Sequence, residues 1–151
     1  DFYSTQARTG LVRSPVEWAV ACARGGASPT SESRPDWWIS DMGQSLLHPP
    51  NPSGWNQNGE WISATGAWAR ADFASHLAYK MRERKHLTQL TDMSVPAAID
   101  LLRVWFSLNN LTAHTRRALE DYLYAERANE EWPQFRNVLV LLMLSPEMQL
   151  A

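Results

Sequence analysis

With 151 residues, 44% apolar and 20% charged, the chain has the makeup of one globular domain rather than a disordered segment. A formal net charge of −2 leaves no electrostatic footprint for nucleic acid. The longest unbroken apolar run, Val138 to Leu144, falls far short of the ~20 residues of a membrane-spanning helix. Cys22 is the only cysteine, which excludes an internal disulfide and a cysteine-based zinc site.

Residues 1–13 are polar and read as a lead-in. The start, Asp1-Phe2-Tyr3, carries no basic-then-apolar signal pattern, so the chain is expected to be a fragment or a mature form of something longer. Ser14-Pro15-Val16-Glu17 is a capping box with proline at the first helical position: the Ser14 oxygen takes the Glu17 amide, and Glu17 reaches back to the Ser14 amide. The helix it opens runs to about Arg24, with Val16, Val20 and Ala23 on one side, and Gly25-Gly26 stops it. After a Ser/Pro-rich linker, Pro35 opens a second helical stretch through Trp37, Trp38, Ile39 and Met42 that ends near Gly43.

Residues 48–62 hold Pro49, Pro50, Pro52, Gly54 and Gly59, with Trp55 and Trp61 six residues apart. Such punctuation predicts one long ordered loop without regular structure. Ser63 or Thr65 caps a third helix. In it Ala67, Ala71, Ala74 and Ala78 form a small-residue stripe that lets another helix approach, with Trp68, Phe73 and Leu77 filling beside it. It ends in the charged run Lys80 to Lys85, a solvated helix end.

Ser94, with Pro96 in the first turn, opens a fourth helix with Ile99, Leu102 and Phe106 on one stripe and Leu101, Trp105 and Leu108 on another. Asn109-Asn110 break it. Thr112 starts a fifth, with Leu119, Tyr122 and Leu123 inward. Pro133 opens a sixth, with Phe135, Val138, Leu139 and Leu142 at helical spacing, interrupted by Ser145-Pro146-Glu147, where Glu147 reads as a cap. No alternating strand pattern is found. The expected fold is all-α: a helical bundle of about six helices with one long ordered Pro/Gly/Trp-rich loop, as a single domain over residues 1–151.

Four blocks, in order, resemble the bacterial family known as DUF1800, a domain of unknown function. They are Val12-Arg13-Ser14-Pro15-Val16-Glu17-Trp18, then Met42-Gly43-Gln44-Ser45-Leu46-Leu47-His48-Pro49-Pro50, then Gly54-Trp55 through Trp61-Ile62 with Ala69-Arg70 and Phe73, and last Leu144-Ser145-Pro146-Glu147-Met148-Gln149-Leu150. Where many members carry valine this chain has Pro52, and where they carry a double glycine it has Gln57-Asn58. Members of the family are longer, with these blocks in their C-terminal part. The resemblance therefore implies that this is the C-terminal portion of such a protein, with an N-terminal remainder as its first partner. It also implies an exported setting, periplasmic or extracellular, and a second exported protein as a partner.

Two readings of the loop stand side by side. Trp55 and Trp61 can be a stacking platform for a carbohydrate, with Asn58 between them. They can equally pin the loop onto the helices, the commoner use of such residues. His48, just before the prolines, is the histidine best placed for a site; His76, His86 and His114 are scattered. Asp72 and His76 share a helix face, a spacing open to a metal or an acid–base pair but more commonly a plain surface hydrogen bond. Arg70 can hold an anion or tie the loop to its helix through backbone carbonyls. No nucleophile motif, phosphate loop or metal-ligand pattern is present, no cofactor is implied, and Cys22 inside a helix reads as inert. Three functions follow: a structural and interaction module of a larger secreted or envelope-associated protein, a carbohydrate- or polymer-binding module, or part of an enzyme whose other catalytic groups lie upstream.

Overall fold

The computed structural model describes residues 11–26, 35–55, 61–81, 85–128 and 135–150. Among them lie eight helices: α1 (Pro15–Gly25), α2 (Pro35–Asp41), α3 (Ala64–Met81), α4 (Lys85–Thr91), α5 (Val95–Trp105), α6 (Ala113–Ala128), α7 (Phe135–Met143) and α8 (Pro146–Gln149). The only β pairing among the described residues is two isolated bridges, so the fold is all-α. The six expected helices are present, although the proposed start of the sixth at Pro133 lies outside the described residues. Two short helices are additional. In α4, among the side chains described, Leu87 and Leu90 mark a buried side, too few positions to establish a period. In α8 the expected interruption is itself a helix start, with Ser145 as N-cap and Pro146 at the first position.

The first turn of α1 shows how the chain saves its orphan amides. The Ser14 amide and hydroxyl both donate to the Glu17 carboxylate, each at 2.8 Å. The Glu17 amide donates to Ser14 Oγ at a longer 3.5 Å. The Val16 amide donates to Oε1 of the buried Gln44, 3.0 Å away and 28 residues on. The capping box is therefore real, its carboxylate half is the tighter one, and a side chain from beyond α2 completes it. The inward face of α1 is Trp18, Ala19, Cys22 and Ala23; of the expected Val16, Val20 and Ala23, only Ala23 is fully buried, and Val16 packs at the edge of the core. Trp18 sets that face: it is fully buried, its indole N–H donates to the Met143 carbonyl at 3.0 Å, and its ring meets Phe73 edge-on at 5.7 Å.

Helix α3 is the central element, packing on α7, α2 and α1. It buries Gly66, Ala69, Phe73, Ala74, Leu77, Ala78 and Met81, a face repeating every three and four residues. Ala74 and Ala78 of the expected alanine stripe lie on it. Trp68 does not: it is 76% exposed. One step from Ala69, it falls outside the buried arc. Ser63 Oγ accepts from the Gly66 amide at 2.9 Å, so Ser63 rather than Thr65 caps the helix.

Helix ends are closed by backbone bonds. Gly43, at φ +97°, ends α2: its amide bonds the Ser40 carbonyl and the Gln44 amide bonds the Ile39 carbonyl. Ser107, at φ +54°, ends α5 in the same pattern, with its amide on Val104 and the Leu108 amide on Arg103. At the start of α5, Ser94 occupies the cap position but makes no side-chain cap bond. Between α2 and α3, the described part of the loop turns tightly at Asn51, which accepts from Ser53 through its side chain and from Gly54 through its carbonyl.

Candidate functional site

The described start and end of the chain meet. Val12 and Leu150 form an antiparallel bridge, and the Arg13 amide donates to the Gln149 carbonyl at 2.8 Å. The first turns of α3 and the approach to it, Trp61 to Ser63, close the opposite side. Between them is a partly open cavity of about 460 Å³, within the size range of small-molecule pockets. Its wall is apolar: Val12, Trp61, Ile62, Ala67, Leu144 and Leu150 supply most of it.

Among the described residues, Arg70 is the only charged one in that wall. It is 5% exposed. One guanidinium nitrogen, Nη2, donates to the Arg13 carbonyl at 2.9 Å, and Nη1 donates to Gln149 Oε1. Its Cζ lies 5.3 Å from the centre of the Trp18 ring, a cation–π contact. Nε is buried with no hydrogen-bond partner. Burial pulls its pKa below the usual arginine value, yet a guanidinium stays charged at any physiological pH. Among the described residues no carboxylate pairs with it. The Gln149 amide also donates to the Met143 carbonyl, at 3.4 Å, so Gln149 is held between Arg70 and α7.

The sequence-selected residues divide. Trp61, 8% exposed, and Arg70 both line the cavity. His48 is exposed and Trp55 half-buried, on the loop between α2 and α3, and neither lines it. Asn58 lies outside the described residues. Arg70 does bond a backbone carbonyl, but that carbonyl belongs to the chain's entry rather than to the loop. His76 rests against the Trp38 ring at 5.6 Å while Asp72 is exposed. Cys22 is fully buried, and burial pushes its thiol well above the ordinary range, which makes it inert.

Sequence reasoning missed Gln149, Val12, Leu144 and Leu150 as site residues. They sit in the first and last of the four blocks, so the signal was present, but nothing in local spacing joins two blocks more than a hundred residues apart. Among the described residues no group of three metal-ligating side chains occurs, and no helix is long and apolar enough to cross a membrane.

Fold and site together define an all-helical fold with a partly open apolar cavity and, among the described residues, a buried cation in its wall. The chain belongs to the family described as Protein of unknown function (DUF1800), whose model matches residues 1–150. No curated protein and no solved structure matches it.

Proposed function

We propose that this domain is a helical interaction module of a larger, exported protein, and that it works by receiving an apolar group into the cavity between α3 and the paired chain ends. The single observation that carries this reading is the cavity itself, with an apolar wall in which Ile62 and Leu150 remain exposed. Solvent-filled apolar concavities of this size are costly to keep empty and are the usual seat of a ligand. The sugar-stacking reading has less behind it. A ring must be bare to accept a sugar face, and Trp61 is 8% exposed. The export and the larger protein rest on the family resemblance.

The test uses a neutral fluorescent probe, N-phenyl-1-naphthylamine, whose emission rises in apolar surroundings. Saturable binding to the wild-type protein is expected, with at least tenfold weaker binding to Ala67→Trp, which fills the cavity from the exposed, solvent-facing side of α3. An unchanged melting temperature in that variant confirms that the fold is intact. Absence of saturable binding, or equal binding to the filled variant, overturns the reading.

A further inference from the structure

Arg70 is in an unbalanced position. Burying a charge is expensive unless an opposite charge or a full set of hydrogen bonds compensates. Here the compensation is partial. Among the described residues Arg70 has a backbone carbonyl, an amide oxygen and the face of Trp18, all neutral, while Nε has no partner. The residue whose carbonyl it holds repeats the pattern: Nη1 of Arg13 is also buried without a partner. Neutral dipoles and a ring can orient a guanidinium, but they do not cancel its charge. A structural staple between the chain ends needs the two hydrogen bonds. It does not need a permanent charge beside an otherwise apolar cavity, since a glutamine or an apolar side chain of similar reach would cost less.

We propose that the cavity takes an organic carboxylate with an apolar body: the carboxylate is the missing counter-charge for Arg70, and the hydrocarbon fills the wall formed by Trp61, Ala67, Leu144 and Leu150. The inference rests on the cavity reading above and adds the chemical class of the ligand. A planar guanidinium is the residue type best matched to a carboxylate, which can accept two parallel N–H bonds from it. Gln149 is placed to follow such a ligand. Its Oε1 now occupies Nη1 and can yield that position to an incoming carboxylate, while its Nε2 amide stays anchored on the Met143 carbonyl.

The experiment compares decanoate with decanol as competitors for the bound naphthylamine, at pH 7 where the acid is ionised. The two share an apolar body and differ in the head group. Decanoate is expected to displace the probe at a concentration at least ten times lower than decanol, and raised salt is expected to narrow the gap. Arg70→Met should abolish the preference while decanol still competes. Should that variant fail to fold, Gln149→Leu, which leaves the cation in place, should keep the preference. Equal displacement by the two overturns the carboxylate inference and leaves the cavity reading standing, as does displacement by neither. Failure of the probe itself to bind removes both.

Discussion

The carboxylate of Glu147 caps the start of α6 from 35 residues away: Oε1 accepts from the Thr112 amide at 2.8 Å, and Oε2 accepts from the Thr115 hydroxyl at 3.1 Å. Thr112 Oγ1 in turn accepts from the Thr115 amide at 3.2 Å. This is the logic of a capping box with the acid supplied from α8 instead of the third helical position. It locks the last described helix to the one that packs against α5 and α7. Burial alone would raise the pKa of Glu147, but bonds from the Thr112 amide, its own amide and the Thr112 and Thr115 hydroxyls together hold it below the usual carboxylate value. The folded state thus binds fewer protons than the unfolded one. Its contribution is complete above the ordinary glutamate pKa of about 4.3 and is lost as pH falls through the lower folded value. Glu147→Ala is expected to cost about 1–2 kcal/mol at pH 7. Urea melts should show that cost shrinking toward pH 3, whereas a constant difference across that range would separate the effect from ionisation.

Glu126 has the opposite sign. Burial is the largest influence on it and raises its pKa, despite the lowering influence of the neighbouring Tyr122 and Asn137. Its Oε2 is buried with no partner, and Oε1 is met by Asn137 at a long 3.4 Å. Stability associated with this group is present below the ordinary glutamate pKa and is lost as pH rises through the raised folded value. Glu126→Met keeps the helical reach and removes the charge. It should raise the urea midpoint at pH 7, with the gain disappearing below about pH 4. A lower midpoint at pH 7 would show that the carboxylate is better satisfied than its geometry implies.

These two residues mark what a sequence can and cannot disclose. The Ser14–Glu17 box was legible because both partners sit within one helical turn. The helical faces of α5, α6 and α7 were legible because apolar residues recur at helical spacing over two or more turns. Glu147 was recognisable as a cap, but the helix it caps was not, since only folding brings residue 147 to residue 112. Arg70 stood out through its nearness to the tryptophan loop, whereas its actual partners are Arg13, Gln149 and Trp18. A cavity made from both ends of a chain leaves no periodic trace in either.

Gly25 and Gly43 both end helices, for different physical reasons. A Cβ on Gly25 would lie 2.4 Å from Phe106 Cδ1, because the ring packs directly on the backbone there. A Cβ on Gly43 would meet nothing within 4 Å, but its φ of +97° is unfavourable for any residue with a side chain. Gly25→Ala is expected to cost about 1–3 kcal/mol through overpacking, and Gly43→Ala about 1–2 kcal/mol through backbone strain. Asparagine separates the two, since it tolerates left-handed backbone. Gly43→Asn should recover part of the loss seen with alanine, while Gly25→Asn should be worse than Gly25→Ala. Equal behaviour of asparagine at the two sites in thermal melts would refute the distinction.

The tryptophans differ sharply in exposure, and that difference is measurable. Trp37 and Trp68 are 68% and 76% exposed, while Trp18 and Trp61 are at 0% and 8%. Acrylamide reaches only rings that touch solvent. The double change Trp37→Phe with Trp68→Phe should therefore lower the quenching slope of the intrinsic fluorescence, and Trp61→Phe should raise it by removing a protected emitter. Stability should follow the reverse order. Phenylalanine at 37 and 68 removes little buried area and is expected to change stability by less than about 0.5 kcal/mol. Trp18→Phe strips the Met143 carbonyl of its indole donor and weakens the platform under Arg70. It should cost about 2–4 kcal/mol, or roughly 4–16 °C at ~2–4 °C per kcal/mol for a chain of this size. If the exposed pair proved the more destabilising, the tryptophans would be packing against something that covers α2 and the outer face of α3.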